Sequence, residues 1–232
     1  MHKSLLATAV LLLSVSAAQS QSRPTVVELY TSEGCSSCPP AEGLIGKLAR
    51  QEGVIALSFH VDYWDSLGWR DRFALPDAVA RQEQYARTLR LSSVYTPQLV
   101  IDGRRDTLGS DERGIAAAIA RPQPGAPIKL AIQGDSLVIQ LGEQRQTEPQ
   151  DVLLLAYLPE ATSKVTRGEN AGRELQEFNI VRSVRKLGAW TGSARQFSVP
   201  LSTLPADAAA VALLVQAAGQ GAISGAVARA LR

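Results

Sequence analysis

The stretch Glu28-Leu29-Tyr30-Thr31-Ser32-Glu33-Gly34-Cys35-Ser36-Ser37-Cys38-Pro39-Pro40 holds the only two cysteines of a 232-residue chain. Val26 to Tyr30 reads as a short strand, and behind the cysteines Ala41, Leu44, Ile45, Leu48 and Ala49 recur at helical spacing. A C-x-x-C between a strand and a helix is where a dithiol becomes reactive. Unpaired N–H groups and the positive end of the helix dipole stabilise a thiolate there, which makes Cys35 the attacking sulfur. Cys38, one turn further in, then resolves the mixed disulfide. Pro39 and Pro40 suit a first helical turn, where N–H groups have no intrahelical partner. A local structural disulfide or half of an intermolecular zinc site would use the same spacing. A four-cysteine zinc site inside one chain is excluded by the count.

Residues 1–20 carry Lys3, an apolar run from Leu5 to Leu13 and small residues at Ser16-Ala17-Ala18, the pattern of a secretory signal peptide. The run is short for a membrane span, and no later segment has the apolar length that one requires, so no integral membrane segment is expected after cleavage. The expected location is periplasmic or secreted. Loss of residues 1–20 removes only Lys3, leaving 23 basic against 22 acidic residues, a balance that disfavours nucleic acid as a partner. Export permits disulfides, but a four-residue loop restrains little chain entropy, so the pair points to reactivity more than to stability.

Punctuation by Pro122, Pro124, Gly125 and Pro127 marks residues 122–127 as a linker between two units, 21–121 and 128–232. In the first unit, strands over Val54 to Phe59, Gln98 to Asp102 and Arg105 to Leu108 alternate with helices beginning near Pro76 and around Ile115, the latter capped by Ser110 or Asp111. In the second unit the period changes to two. Gly134-Asp135 joins a hairpin of Lys129 to Gln133 with Ser136 to Leu141. Val152 to Leu158, Ser163 to Arg167, Phe178 to Val184, Gln196 to Leu201 and Ala209 to Gln216 follow as short strands, and Ala222 to Leu231 reads as a final helix. The charged residues around Glu174, Glu177 and Arg182 read as a solvated sheet face. This predicts an α/β unit followed by a mostly-β, sandwich-like accessory domain.

The order strand, GCSSCPP, helix, strand, helical insertion, Thr96-Pro97, strand, turn, strand resembles the thioredoxin fold. The resemblance implies a thioredoxin-like N-terminal domain in which Pro97 is a cis-proline facing the cysteines and Thr96 presents backbone hydrogen bonds to an extended substrate. Further segments, Glu28 to Pro40, His60 to Asp65 with Gly68-Trp69, Thr96 to Gly103 and Gly168 to Gly172, are similar to a family of exported proteins known as domain-of-unknown-function family 1223. That resemblance spans nearly the whole mature chain and brings no substrate with it.

Other candidate site residues surround the dithiol. His60 ends the second strand, at the sheet edge shared with Cys35, where an imidazole stabilises a thiolate, moves a proton or simply anchors a loop. Tyr63, Trp64 and Trp69 belong to a segment with five of the twelve aromatic residues, suited to a peptide or to packing. Glu28 resembles the strand acid of thioredoxins that relays a proton to the second cysteine. Asp62 and Asp65 make no metal site by themselves. Gly168 to Gly172 lacks a following GK[ST], and Gly219, Gly221 and Gly225 do not fit the dinucleotide fingerprint, so no cofactor is expected. The reading is an exported thiol-disulfide oxidoreductase acting on a protein or small disulfide or thiol, with an unknown redox partner. Two alternatives stand beside it: a copper(I) protein using Cys35, Cys38 and His60, and a non-catalytic interaction module.

Overall fold

The computed structural model describes residues 22–120 and 123–231. The expected signal peptide and Pro122 lie outside the described residues. In chain order the first elements are β1 (Ser22–Arg23), β2 (Thr25–Thr31), α1 (Pro39–Leu48), β3 (Val54–His60), α2 (Pro76–Thr88), β4 (Gln98–Ile101), β5 (Arg105–Leu108) and α3 (Glu112–Ile119). There follow β6 (Gln123–Pro124), β7 (Ile128–Gln133), β8 (Ser136–Leu141), β9 (Gln150–Lys164), β10 (Glu174–Trp190), β11 (Arg195–Pro200), β12 (Ala210–Ala217) and β13 (Ile223–Ala230).

The protein is mostly β, which corrects the expected thioredoxin-like α/β domain followed by a sandwich-like domain. One eight-stranded sheet, in the order β13-β12-β9-β10-β3-β2-β4-β5, draws strands from both halves of the chain. The splice is parallel pairing of β10 with β3, Ile180 opposite Ser58. Without β10, the outer edge of β3 would present unpaired backbone groups. Asn179 seals the junction: it adopts φ 47° and donates Nδ2–H to the Ala56 carbonyl at 2.8 Å.

Two further expectations fail on the same sheet. The strand read at 152–158 is a 15-residue strand that runs on to Lys164, so the separate strand read at 163–167 reduces to its last two residues with 165–167 outside any strand, and the one at 178–184 runs from Glu174 to Trp190. Register shifts near Val181 and Lys186 break the alternation that would have shown their length. The final helix is strand β13, paired antiparallel with β12. Its alanines and glycine favour no helix in this setting, because the small residues are needed for close approach. A Cβ on Gly225 would lie 2.8 Å from Ala126 Cβ and 2.9 Å from Ile128 Cδ1.

Strand alternation divides the interior. On one face, Val26, Tyr30, Leu57, Phe59, Leu155 and Leu214 form a single core with Ala78 and Tyr85 of α2. The opposite face is shared. Val27, Leu29 and Leu99 pack on Ile45 of α1 and Ile115 of α3, while Leu154 and Leu213 pack on Leu137 and Ile139 of the small sheet β11-β8-β7. No helix among the described residues is long and apolar enough to cross a membrane.

Glu28 belongs to the α2 face. Its carboxylate takes Arg81 Nη2 at 2.6 Å and Nε at 3.1 Å, with the Tyr30 hydroxyl at 3.2 Å. Both charged side chains are buried. Removing one member of such a pair strands the other charge, at a cost of about 3–5 kcal/mol. Arg81→Met therefore lowers the urea-unfolding free energy by about that amount, and Glu28→Leu combined with Arg81→Met loses less than Arg81→Met alone. A double variant weaker than the single would contradict this.

Candidate functional site

The turn Ser32–Cys38 joins β2 to α1 through two tight backbone bonds, Cys35 N–H to Ser32 O at 3.1 Å and Cys38 N–H to Cys35 O at 3.2 Å. Cys35 and Cys38 are disulfide-bonded, and both are buried. The first turn of α1 does not supply the expected N–H donors to sulfur. Pro39 and Pro40 carry none, and Ala41 and Glu42 donate to Cys38 O. The donors near Cys35 Sγ are hydroxyls instead: Thr96 Oγ1 at 3.3 Å, with Ser37 Oγ at 3.4 Å. Trp64 Nε1–H donates to Thr96 Oγ1 at 2.9 Å, which leaves the threonine proton for the sulfur.

The Thr96–Pro97 peptide is cis, and Pro97 sits above α1. Gly109 permits that approach, since a Cβ there would stand 2.6 Å from Ala41 Cβ and 3.0 Å from Pro97 Cβ. The loop joining β9 to β10 closes over the other side. Asn170 Nδ2 donates to Glu33 O at 2.9 Å and Cys35 O at 3.0 Å. The Glu169 carboxylate accepts from Ser36 N at 3.2 Å and Ser36 Oγ at 2.7 Å, and those donors hold its pKa below the usual range.

Behind Cys38 lies a buried group of ionisable side chains. β2 and β3 run in parallel register with Thr31 opposite His60, which places His60 at the same sheet end as the cysteines. His60 Nδ1 is 2.7 Å from Asp71 Oδ2, and Nε2 faces Glu42 Oε1 at 3.8 Å. Neither ring nitrogen is bonded to a sulfur. Asp71 also accepts from the Glu33 and Phe73 N–H groups, each at 2.8 Å. Burial alone would lower the His60 pKa, but Asp71, then Glu42 and Glu177, outweigh it and lift it to about 10. Asp71, conversely, is held low by His60 and the two N–H donors despite its own burial. Burial is the first cause of a raised pKa at Glu42 and at Glu177, the latter reaching about 8 with Glu33, Glu42 and Asp71 adding to it and His60 opposing.

Of the residues expected at the site, Cys35, Cys38, Thr96, Pro97 and Trp64 come together. His60 joins through Glu42. Trp69 is turned to Glu33, its Nε1–H donating to Oε2 at 2.6 Å, while Tyr63 is exposed and bonds Gln82 at 3.3 Å. Glu28 lies on the opposite face of the sheet from α1. Sequence reasoning missed Glu42, Asp71 and Asn170, and read the buried Glu177 as solvated. Glu42 had a signal: it falls four residues after Cys38, among the apolar positions of α1. Asp71, eleven residues beyond His60, had none.

A family model described as a protein of unknown function (DUF1223) matches residues 26–216. The chain belongs to that family. The match takes in every site residue named above. Among solved structures, the X-ray crystal structure of a protein from Agrobacterium tumefaciens is 31% identical, covering 91% of this chain and 96% of its own, with a TM-score of 0.80. No curated protein matches the sequence. Among the described residues no three His, Cys, Asp or Glu side chains are grouped to hold a metal ion.

The pKa shifts set a direction for stability against pH. His60 and Glu177 bind their protons more tightly when folded, so their contribution is full below the ordinary values of 6.5 and 4.5 and is lost as pH rises through about 10 and about 8. Glu42 has the same sign, whereas Asp71 contributes above its ordinary value of 3.8 and is lost as pH falls. The thermal midpoint should fall steadily between pH 6.5 and 10, and His60→Gln should flatten the upper part of that decline. A midpoint that rises over this window would contradict the assignment.

Proposed function

We propose that the protein is a thiol-disulfide oxidoreductase of an exported compartment, with Cys35 and Cys38 as its redox couple. The observation that carries this reading is the pairing of the chain's two cysteines at the start of α1, with the Cys35 sulfur held against the Thr96 hydroxyl beside Pro97. A structural staple has no need of a hydroxyl donor aimed at one sulfur. A thiolate does, because a hydrogen bond to the charged form lowers its pKa.

Exchange runs in two displacements. A substrate thiolate attacks Cys35 Sγ, a new S–S bond forms, and the Cys35–Cys38 bond breaks with its electron pair leaving on Cys38, which takes up a proton. A second substrate thiolate attacks the substrate sulfur of the mixed disulfide and releases Cys35 as thiolate. Two substrate thiols thus become one disulfide, and two electrons and one proton pass to the cysteine pair, the second thiol proton going to solvent while Cys35 remains a thiolate. The reverse sequence reduces a disulfide. Thr96 and Ser37 stabilise the Cys35 thiolate in both directions, and Trp64 orients Thr96. Because Cys35 is buried, the groups packed on its sulfur must shift before a substrate sulfur reaches it.

Replacing the sulfurs separates their roles. Cys35→Ser should reduce exchange with hydroxyethyl disulfide and glutathione to the uncatalysed rate, whereas Cys38→Ser should accumulate a mixed disulfide on Cys35, read as an added mass by intact-protein mass spectrometry. Full turnover by Cys35→Ser would overturn the assignment.

A further inference from the structure

A cleft of about 310 Å3 opens beside Cys38, between the start of α1 and the Glu174–Phe178 end of β10. We propose that this cleft is a subsite for a cationic group carried by the disulfide substrate: a lysine or arginine side chain of a protein, or the ammonium of a small amine-bearing disulfide. The proposal rests on the exchange reading and names its substrate class.

Four carboxylates, Glu33, Glu42, Glu174 and Glu177, line the cleft, and no lysine or arginine does. Two are also incompletely satisfied. Glu33 Oε1 and Glu42 Oε1 are buried acceptors that make no well-formed hydrogen bond, Glu42 having only the Thr31 hydroxyl and the Phe178 N–H nearby beyond its Ser58 bond, in residues that are 1% and 5% exposed. Buried acceptors are almost always paired, so such orphans ask for a donor from outside. The cations nearby do not meet the need. Arg72 stands 3.8 Å from Glu33 Oε1 on a largely exposed side chain, and the exposed Lys164 reaches only Glu174, also at 3.8 Å. His60 is committed at 2.7 Å to Asp71 and stops 3.8 Å short of Glu42.

An ammonium or guanidinium offers several donors and no acceptor, the complement of this lining. Pro39 and Phe178 supply apolar wall for a methylene stem, as long cationic side chains require. Crowding among the acids is visible in Glu177, which keeps its proton to about pH 8; a cation in the cleft would relieve that crowding. The position also suits exchange, since the cleft reaches Cys38 on one flank of the disulfide while Thr96 and Pro97 occupy the Cys35 flank.

Binding is tested without sulfur chemistry, on the full chain carrying Cys35→Ser and Cys38→Ser. Two peptides are compared by calorimetry at pH 7.5, identical but for lysine or norleucine beside a serine that replaces the substrate cysteine. Lysine should bind at least tenfold tighter, and adding Glu33→Gln with Glu177→Gln should bring the ratio to about one. In wild-type protein, the Glu177 carboxyl titration followed by NMR should move to lower pH as the lysine peptide saturates, a readout that survives if the glutamine variants fail to fold. Exchange rates then separate the sources. A preference for cystamine over hydroxyethyl disulfide identifies a small amine as sufficient, and a preference seen only with the lysine-bearing mixed-disulfide peptide identifies a protein side chain. Equal binding of lysine and norleucine, or an unmoved Glu177, would overturn the cleft proposal. Lysine-selective binding with no exchange of any disulfide would instead overturn the redox reading on which it rests.

Discussion

The pairing of β10 with β3 is the constraint on which the rest depends. It is a short parallel contact, centred on Ile180 and Ser58, yet it merges strands from the two halves of the chain into one sheet. It also fixes where the β9–β10 hairpin ends. With Asn179 bonded to Ala56, the hairpin's tip lies at the cysteine turn, where Glu169 bonds Ser36 and Asn170 bonds the Cys35 carbonyl. The same strand brings Glu177 and Phe178 against α1 and so builds the acidic cleft.

The site therefore joins two kinds of chemistry around one disulfide. On the Cys35 flank, neutral hydroxyls and the Trp64 indole form a hydrogen-bonded chain that ends on sulfur. On the Cys38 flank, a buried histidine is balanced by one firmly ionised acid, Asp71, and crowded by others whose pKa values are pushed up by burial. Burying several acids around one imidazolium is costly for a fold, and cost of this kind concentrates at sites that bind or react. Glu28 and Arg81 show the contrasting case: an equally buried pair, but fully hydrogen-bonded and on the far face of the sheet.

Much of the chain was legible one strand or helix at a time. β2, α1, β3, α2, β4 and β5 follow from local apolar periodicity, and the Asp111 cap of α3 follows from its side-chain chemistry. The cysteine pair was legible from its own spacing, which is local information, whereas Thr96 and Pro97 entered through the resemblance to the thioredoxin fold and Trp64 as one of a run of aromatic residues. What failed was long-range. Periodicity cannot report that β10 crosses to β3, nor that an alanine-rich segment ends as a strand because Ala126 and Ile128 press on Gly225. Glu28 was misleading because its phase on β2 fixes its face, and α1 packs on the other one. Asp71 and Asn170 act through contacts made only after folding, at separations that no spacing rule covers.

The most direct test of the central claim is a redox equilibrium of the wild-type protein in glutathione buffers, with free thiols trapped and counted by mass. One reversible transition is expected, in which Cys35 and Cys38 change together as a two-electron couple, with about 30 mV for each tenfold change in the equilibrium constant. A pair that stays oxidised through strongly reducing buffers, or that once reduced does not re-form its disulfide, would contradict it.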